Sequence, residues 1–278
     1  MAHVDLHLHT TFSDGTSTPE ELVATAHARG VTLIAITDHD EVRGIAPAQA
    51  AAQGLPITVV AGVEINTELG REDIHILGYG FSAESAALLA GLHARREARV
   101  ERTRRILARL AAIGYPLEFE RVLAIAGQGS IGRPHIARAL VEAGHVATSQ
   151  EAFERLIGHR CPAYIATLPF TPEAAIALIH QAGGIASLAH PGKLGDPIRI
   201  IRRLKEAGLE ALEAYHSDHT PNVTARMLRW AAQFGLALTG GSDSHGPHGS
   251  RVVHVGAVPV PDAVGEALLA LLAAHQHQ

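Results

Sequence analysis

Apolar and polar positions come in alternating blocks over the first 80 residues. Val4-Asp-Leu-His-Leu-His reads as a short strand. Ser17-Thr-Pro-Glu-Glu-Leu then opens a helix, with Thr18 at the N-cap, Pro19 at the first helical position and Glu21 completing a capping box. Gly30 suits the residue just past that helix. The run VTLIAIT, Val31 to Thr37, is continuously apolar and β-branched, as a strand buried on both faces should be. A helix over Ala46 to Gln53 and strands at Ile57 to Ile65 and Ile74 to Tyr79 follow. The rhythm returns with a helix opened by Thr171-Pro172-Glu173, a strand at Gly184 to Ala189 and a helix at Arg199 to Ala207. Short strands are expected at Leu209 to Tyr215, Leu236 to Thr239 and Val252 to Val258, with a closing helix from Pro261. Strands alternating with helices predict an α/β fold with a parallel sheet or barrel.

The stretch between differs. Residues 93–161 show a three-helix pattern with little strand signal, which predicts a helical insertion into a discontinuous barrel, residues 1–92 and 162–278. Its first helix carries Arg95, Arg96, Arg99, Arg102, Arg104, Arg105 and Arg109, partly balanced by Glu97 and Glu101. Such a helix could steer an anionic strand. No aromatic residue interleaves the run for base stacking, so a solvated face is the simpler expectation.

Composition narrows the class. With 278 residues, 47% hydrophobic, the chain can bury a large core. No apolar run approaches bilayer length, and the start lacks a charged segment followed by an apolar one, so no membrane span or secretory signal is expected. Cys161 is the only cysteine, which excludes an internal disulfide. These features together favour the cytoplasm. A net charge of −5 argues against a polybasic binder of duplex DNA. The unusual count is 19 histidines beside 23 lysines and arginines.

The histidines fall where a metal could use them. His7 and His9 end the first strand, Asp14 follows in the next loop, and Asp38 and His39 end the second strand. Glu64 lies near the end of the third strand and His75 in the fourth; His190 ends the strand from Gly184, and Asp243 and His245 follow the strand from Leu236. Strand ends share one mouth in a parallel α/β barrel. His-x-His has period two, so both rings point to one side. Imidazole suits Zn, Mn and Fe, and carboxylates can bridge two ions. Asp38 is open between orienting His39 or another ligand imidazole and capping a loop.

The segments HLHTTFSDGT, ITDHD, GVEIN, DIHILGYG, SLAHPG and GGSDSHG resemble the ordered motifs of the PHP (polymerase and histidinol phosphatase) family, over both barrel portions. Their order, with the central insertion, is similar to the TrpH/YciV-type subgroup of 3′,5′-nucleotide bisphosphate phosphatases and 5′→3′ exoribonucleases. The resemblance implies a distorted seven-stranded (β/α)7 TIM-like barrel with three divalent ions, Mn foremost, with Fe and Zn also accepted. His7, His9, Glu64 and Asp243 would hold the first ion. Glu64 would bridge to a second held by His75 and His190, and Asp14, His39 and His245 would hold the third. Ser244 departs from the aromatic residue frequent in relatives, but it is no ligand. Asp243, Glu64 and His190 would be catalytic through a hydroxide held by the ions.

Substrate residues are less sharply marked. Arg133 offers a planar fork for phosphate, and His135 sits in the first turn of a helix whose amides favour anions. In the resembling subgroup this segment contacts substrate phosphate. Lys193, His216 and His219 follow strands at the expected face and could bind substrate or assist the leaving group. The expected reaction is hydrolysis of the 3′-phosphate of a small nucleoside 3′,5′-bisphosphate, with short RNA as a further substrate. The rivals are a histidinol-phosphate phosphatase and a non-catalytic metal-stabilised module that serves a partner. Neither a cysteine-phosphatase loop nor a Walker phosphate loop is present. The oligomeric state is not written in the pattern.

Overall fold

The computed structural model describes residues 3–70, 72–127, 129–166, 170–249 and 252–275. Seven strands form one sheet in chain order: β1 Val4–Leu8, β2 Leu33–Ile36, β3 Thr58–Leu69, β4 Glu72–Tyr79, β5 Ile185–Leu188, β6 Ala211–His216 and β7 Ala237–Gly241. The helices of the barrel portions are α1 Pro19–Ala28, α2 Ile45–Ala51, α7 Pro172–Gln181, α8 Pro197–Glu206, α9 Pro221–Phe234 and α10 Asp262–His275. The Thr18 capping box forms as the sequence predicts: its hydroxyl takes the Glu21 N–H while Glu21 takes the Thr18 N–H. Gly30 follows at φ +71°.

The barrel is nearly closed. Asp243 N–H donates to His7 O at 2.9 Å and His9 N–H to Ser244 O at 3.0 Å, which joins the end of β7 to β1. The buried carboxylate of Asp5 reinforces this seam by accepting the Ser242 and Gly256 amides, both at 2.8 Å. Burial raises the Asp5 pKa, and those amide bonds oppose the rise.

Two sequence expectations change. The sheet is mixed: β4 runs antiparallel to both β3 and β5, because β3 turns back tightly at Gly70, φ +69°. A side-chain alternation of period two is the same in either direction, so strand direction was invisible to it. The reversal has a consequence for function. It brings the N-terminal half of β4, which carries His75, to the mouth that the C-terminal ends of the other strands share. Secondly, residues 252–258 form turns and no strand. Side-chain bonds hold them instead, Ser244 Oγ donating to Val253 O at 2.6 Å and Gly256 N–H to Asp5.

Between β4 and α7 lie four α-helices, α3 Ala86–Ala112, α4 Phe119–Ala126, α5 Arg133–Glu142 and α6 Ser149–Ala152, and a π-helical turn Phe153–Ile157. α3 starts seven residues before the expected boundary at 93. Its first turns meet α7, where Gly91 lies against Leu178. Its second half enters a separate apolar cluster with Val122, Ile136, Leu140 and Leu156. One long helix therefore spans both cores. No helix among the described residues is long and apolar enough to cross a membrane.

Candidate metal centre

The mouth of the barrel gathers histidines and carboxylates from six strands or the loops that follow them. Glu64, on β3 and buried, lies at the middle. Its Oε2 is 3.2 Å from both His7 Nε2 and His9 Nε2 and 3.1 Å from His39 Nδ1. Its Oε1 is 2.7 Å from His75 Nδ1 and 3.1 Å from His190 Nε2. Asp243 Oδ1 adds a second carboxylate 3.1 Å from His9 Nε2 and 3.5 Å from His7 Nε2. On the far side, Asp14 Oδ1 is 3.3 Å from His245 Nε2, and its Oδ2 is 3.9 Å from His39 Nε2.

Three donor groups follow from this packing: His7, His9, Glu64 and Asp243; His9, Asp14, His39 and His245; and His39, Glu64 and His75. The first has the membership the resemblance implies. His9 joins the second beyond what was implied. His190 belongs to none of these groups, although its Nε2 lies 3.1 Å from Glu64 Oε1 and its ring packs on His7 and His75. A further group, His7, Glu213 and His216, contains a residue that sequence reasoning missed.

Glu213 on β6 is fully buried. Its Oε1 accepts from His7 Nδ1 at 2.9 Å and its Oε2 accepts the His190 N–H at 2.6 Å. It therefore turns His7 so that Nε2 faces the cluster, and holds the loop that carries His190. A charge inside an otherwise apolar strand, with no neighbour to pair it, was the available signal. Asp38, left open by the sequence, does not reach His39. It accepts from the Thr10 amide, the Thr10 hydroxyl and the Ser13 hydroxyl, at 2.7, 2.6 and 2.6 Å, and so shapes the loop between His9 and Asp14.

His190 and Asp243 adopt left-handed backbone conformations, φ +28° and +56°. For residues other than glycine this costs about 1–3 kcal/mol each, and such strain concentrates at functional sites.

Burial opposes the charged form of every group here. At His7 the carboxylates Glu213, Glu64 and Asp243 outweigh it and raise the pKa well above normal; His9 is pushed up to about 10 by Asp243 and Glu64. Histidines hold Asp14, Glu64 and Asp243 well below the usual carboxylate range, against burial. Burial prevails at His39 and His190, pushed down to about 3 and about 4.

Among the described residues, five buried atoms of these side chains, His7 Nε2, His9 Nε2, Asp14 Oδ1, Glu64 Oε2 and His190 Nδ1, make no hydrogen bond. Buried polar atoms normally have one, and an imidazole and carboxylate donor set of this kind suits divalent cations. The residues therefore fit a metal cluster.

Over the cluster lies a cavity of about 380 Å³ walled by His75, His190, Asp243, His245, Arg133 and Lys193. Arg133 Nη2 pairs with Asp73 at 3.0 Å, and Lys193 Nζ is 2.9 Å from Asp218 and 3.6 Å from Asp243. The other expected substrate residues are engaged elsewhere. His135 Nδ1 accepts the Gly132 N–H at 3.0 Å, capping its own helix. His216 Nδ1 accepts the Asp218 N–H, so its Nε2 carries the proton shared with Asp243 Oδ2 at 3.3 Å. His219 spends both nitrogens on backbone, donating to Ala214 O and accepting from Gly192 N–H.

The basic helix is also largely committed. Arg95 and Arg99 converge on the buried carboxylate of Asp40 at 2.9 and 2.7 Å. Arg104 lies over Phe119, and Arg109 donates to Tyr164 O.

Comparison with known proteins agrees with this geometry. The PHP domain family matches residues 5–218. A 3′,5′-nucleoside bisphosphate phosphatase of Chromobacterium violaceum is 36% identical over 252 residues, covering 89% of this chain and 88% of that protein. A 5′-3′ exoribonuclease of Haemophilus influenzae is 36% identical over 249 residues, 88% of this chain and 90% of that one. A phosphoribosyl 1,2-cyclic phosphate 1,2-diphosphodiesterase of Eggerthella lenta is 35% identical, covering 91% and 97%. Among solved structures, one assigned as a metal-dependent phosphoesterase from Bifidobacterium adolescentis superposes with a TM-score of 0.88 at 32% identity, covering 96% of this chain and 95% of its own.

Proposed function

The chain belongs to the PHP domain family of metal-dependent phosphoesterases, and from that premise we propose that it hydrolyses the 3′-phosphate of nucleoside 3′,5′-bisphosphates, yielding a 5′-mononucleotide and phosphate. Short 5′-phosphorylated RNA is a further substrate in this reading, the work is done in the cytoplasm, and the metals are three divalent ions, manganese foremost. The observation that carries it is the set of orphaned buried atoms, His7 Nε2, His9 Nε2, Asp14 Oδ1 and Glu64 Oε2, beneath a cavity walled by Arg133 and Lys193.

His7, His9, Glu64 and Asp243 would hold one ion, Glu64 with His75 and His190 a second, and Asp14, His39 and His245 a third. Bound divalent ions supply Lewis-acid polarisation of phosphate oxygens and water made acidic enough to attack near neutral pH. The protein supplies the rest. Glu213 keeps the His7 Nε2 lone pair aimed inward through its bond to Nδ1. His216 orients Asp243 in the same way through Oδ2. Arg133 and Lys193 bring positive charge to the equatorial phosphate oxygens, where phosphoryl transfer gains most of its stabilisation. The leaving ribose oxygen takes its proton from solvent, since His216 and His219 are spent on Asp243 and on backbone.

The test is phosphate release by manganese-loaded protein from adenosine 3′,5′-bisphosphate, beside histidinol phosphate, a ribose cyclic phosphate and a short 5′-phosphorylated RNA. Turnover of the bisphosphate that Asp243→Asn abolishes supports the reading. Turnover of histidinol phosphate or the cyclic phosphate alone replaces the substrate. Inactivity on all four, with bound metal verified, overturns the enzyme reading in favour of a partner-binding module.

A further inference from the structure

Glu213 orients His7 through Nδ1, and His9, the other ring of the pair, has a counterpart built differently. β1 and β2 run parallel with Leu8 opposite Ile36, so Asp38, two residues past Ile36, stands beside the chain as it leaves β1. The Asp38 carboxylate is fully buried. Its Oδ1 accepts the Thr10 amide at 2.7 Å and the Ser13 hydroxyl at 2.6 Å, and its Oδ2 accepts the Thr10 hydroxyl at 2.6 Å. The chain after His9 turns back on itself, Ser13 N–H donating to Thr10 O at 3.0 Å. That turn brings the Ser13 side chain to His9, with Oγ 3.5 Å from Nδ1.

The direction of these bonds follows from the donors present. An ionised carboxylate only accepts, so the short bond to Asp38 takes the Ser13 proton. Ser13 Oγ then offers lone pairs to His9, and Asp14 Oδ1 lies 3.9 Å from the same nitrogen. Both oxygens favour a proton on Nδ1. The lone pair of the neutral ring is left on Nε2, which makes no hydrogen bond among the described residues and lies 3.2 Å from Glu64 and 3.1 Å from Asp243. His9 belongs to two of the donor groups, so its orientation bears on both. The helical insertion closes on this loop from the other side. Ser130 N–H donates to Phe12 O at 3.1 Å, and a Cβ at Gly129 would stand 2.3 Å from Ser13 O. Ser13 is buried between the two.

We propose that Ser13 is a positioning residue of the candidate metal centre, relaying Asp38 to His9 Nδ1 so that the proton stays there and the Nε2 lone pair faces the ions. This rests on the metal-dependent reading above and gives Asp38 a second duty beside shaping the loop. An orienting carboxylate then stands behind each histidine of the His-x-His pair, directly for His7 and through one hydroxyl for His9.

The experiment is a manganese titration of wild type, Ser13→Ala, Ser13→Cys and Asp38→Asn, beside thermal melting of each protein in chelator. Ser13→Ala is expected to bind manganese about tenfold or more weakly, with a metal-free melting midpoint close to that of wild type. Ser13→Cys keeps the shape with a weaker acceptor, so its affinity should fall between the two. Asp38→Asn keeps an oxygen for the Ser13 hydroxyl and the Thr10 amide, which share Oδ1, so it should lose less affinity than Ser13→Ala. A role confined to shaping the loop predicts the reverse order, because Asp38 accepts three bonds there and Ser13 supplies one of them. That reverse order, or unchanged affinity in Ser13→Ala, overturns the relay and leaves the metal centre standing. If Ser13→Ala fails to fold, Ser13→Cys decides by the same comparison with wild type. Wild type that binds no manganese overturns the metal reading itself, and the relay with it.

Discussion

Glu213 bonds His7 with one oxygen and the backbone of His190 with the other, at 2.9 and 2.6 Å, so one buried carboxylate sets two members of the candidate metal centre. His7 holds its pair strongly enough to bring Glu213 down to about 2, against burial. Glu213→Gln preserves the volume and removes the charge. Partners of this kind are worth about 10–100-fold in metal affinity. A manganese titration of the variant should show a loss of that size with the fold intact by circular dichroism. Unchanged affinity would mean that His7 is oriented by packing alone.

The same residue marks the limit of what the chain displays in one dimension. His7 and His9 were legible because a period of two needs no partner to be read; their rings meet at 5.2 Å between centroids. The helix starting at Pro19 was legible because its cap is local. Glu213, Asp40 and Asp5 act through partners tens to hundreds of residues away, and nothing local names those partners. The reversal of β4 was hidden for a different reason: alternation carries no direction. The basic run on α3 was visible, but its main acceptor, Asp40, lies 55 and 59 residues from Arg95 and Arg99.

That acceptor gives a stability prediction. Asp40 is fully buried between Arg95 and Arg99, at φ +51°. Burial raises its pKa, and the two guanidinium groups outweigh this and lower it below the ordinary 3.8. A carboxylate depressed in the folded state contributes its stability above the unfolded pKa and loses it as pH falls through the folded value. Asp40→Ala strands the buried Arg95 and the half-buried Arg99, which costs about 3–5 kcal/mol. Urea denaturation at pH 7 should show a loss of that size, and the gap to wild type should narrow below about pH 4. A gap that stays constant with pH would show that shape, not charge, makes Asp40 matter.

Metal removal should destabilise the barrel, since ions held by Glu64, Asp14, Asp243 and the histidines around them would bind the folded chain alone. A ligand at about 100 times its Kd adds about 2.7 kcal/mol, which in a chain of this size is roughly 5–10 °C in the melting midpoint. Calorimetry with manganese and with a chelator should differ by that much, and Asp243→Asn should reduce the difference. Coincident curves for wild type would sink the metal reading, whatever the activity assays find.

The seam between β7 and β1 supports the last prediction. A Cβ added at Gly241 would lie 2.4 Å from the His7 amide nitrogen and 2.5 Å from the His7 Cβ. Both neighbours belong to a strand pinned by Glu213 and by the Asp243–His7 backbone bond, so neither can yield by rotating a side chain. Gly241→Ala must therefore push β1 away from β7 and carry His7 and His9 off the position that Asp243 shares with them. Overpacking of this kind costs about 1–3 kcal/mol, and the displacement falls on the donor atoms themselves. The variant should bind manganese more weakly by a larger factor than its loss of stability would suggest, measured by titration beside urea denaturation. A variant that loses stability but binds metal as wild type does would show that the seam closes the barrel without setting the spacing of the cluster.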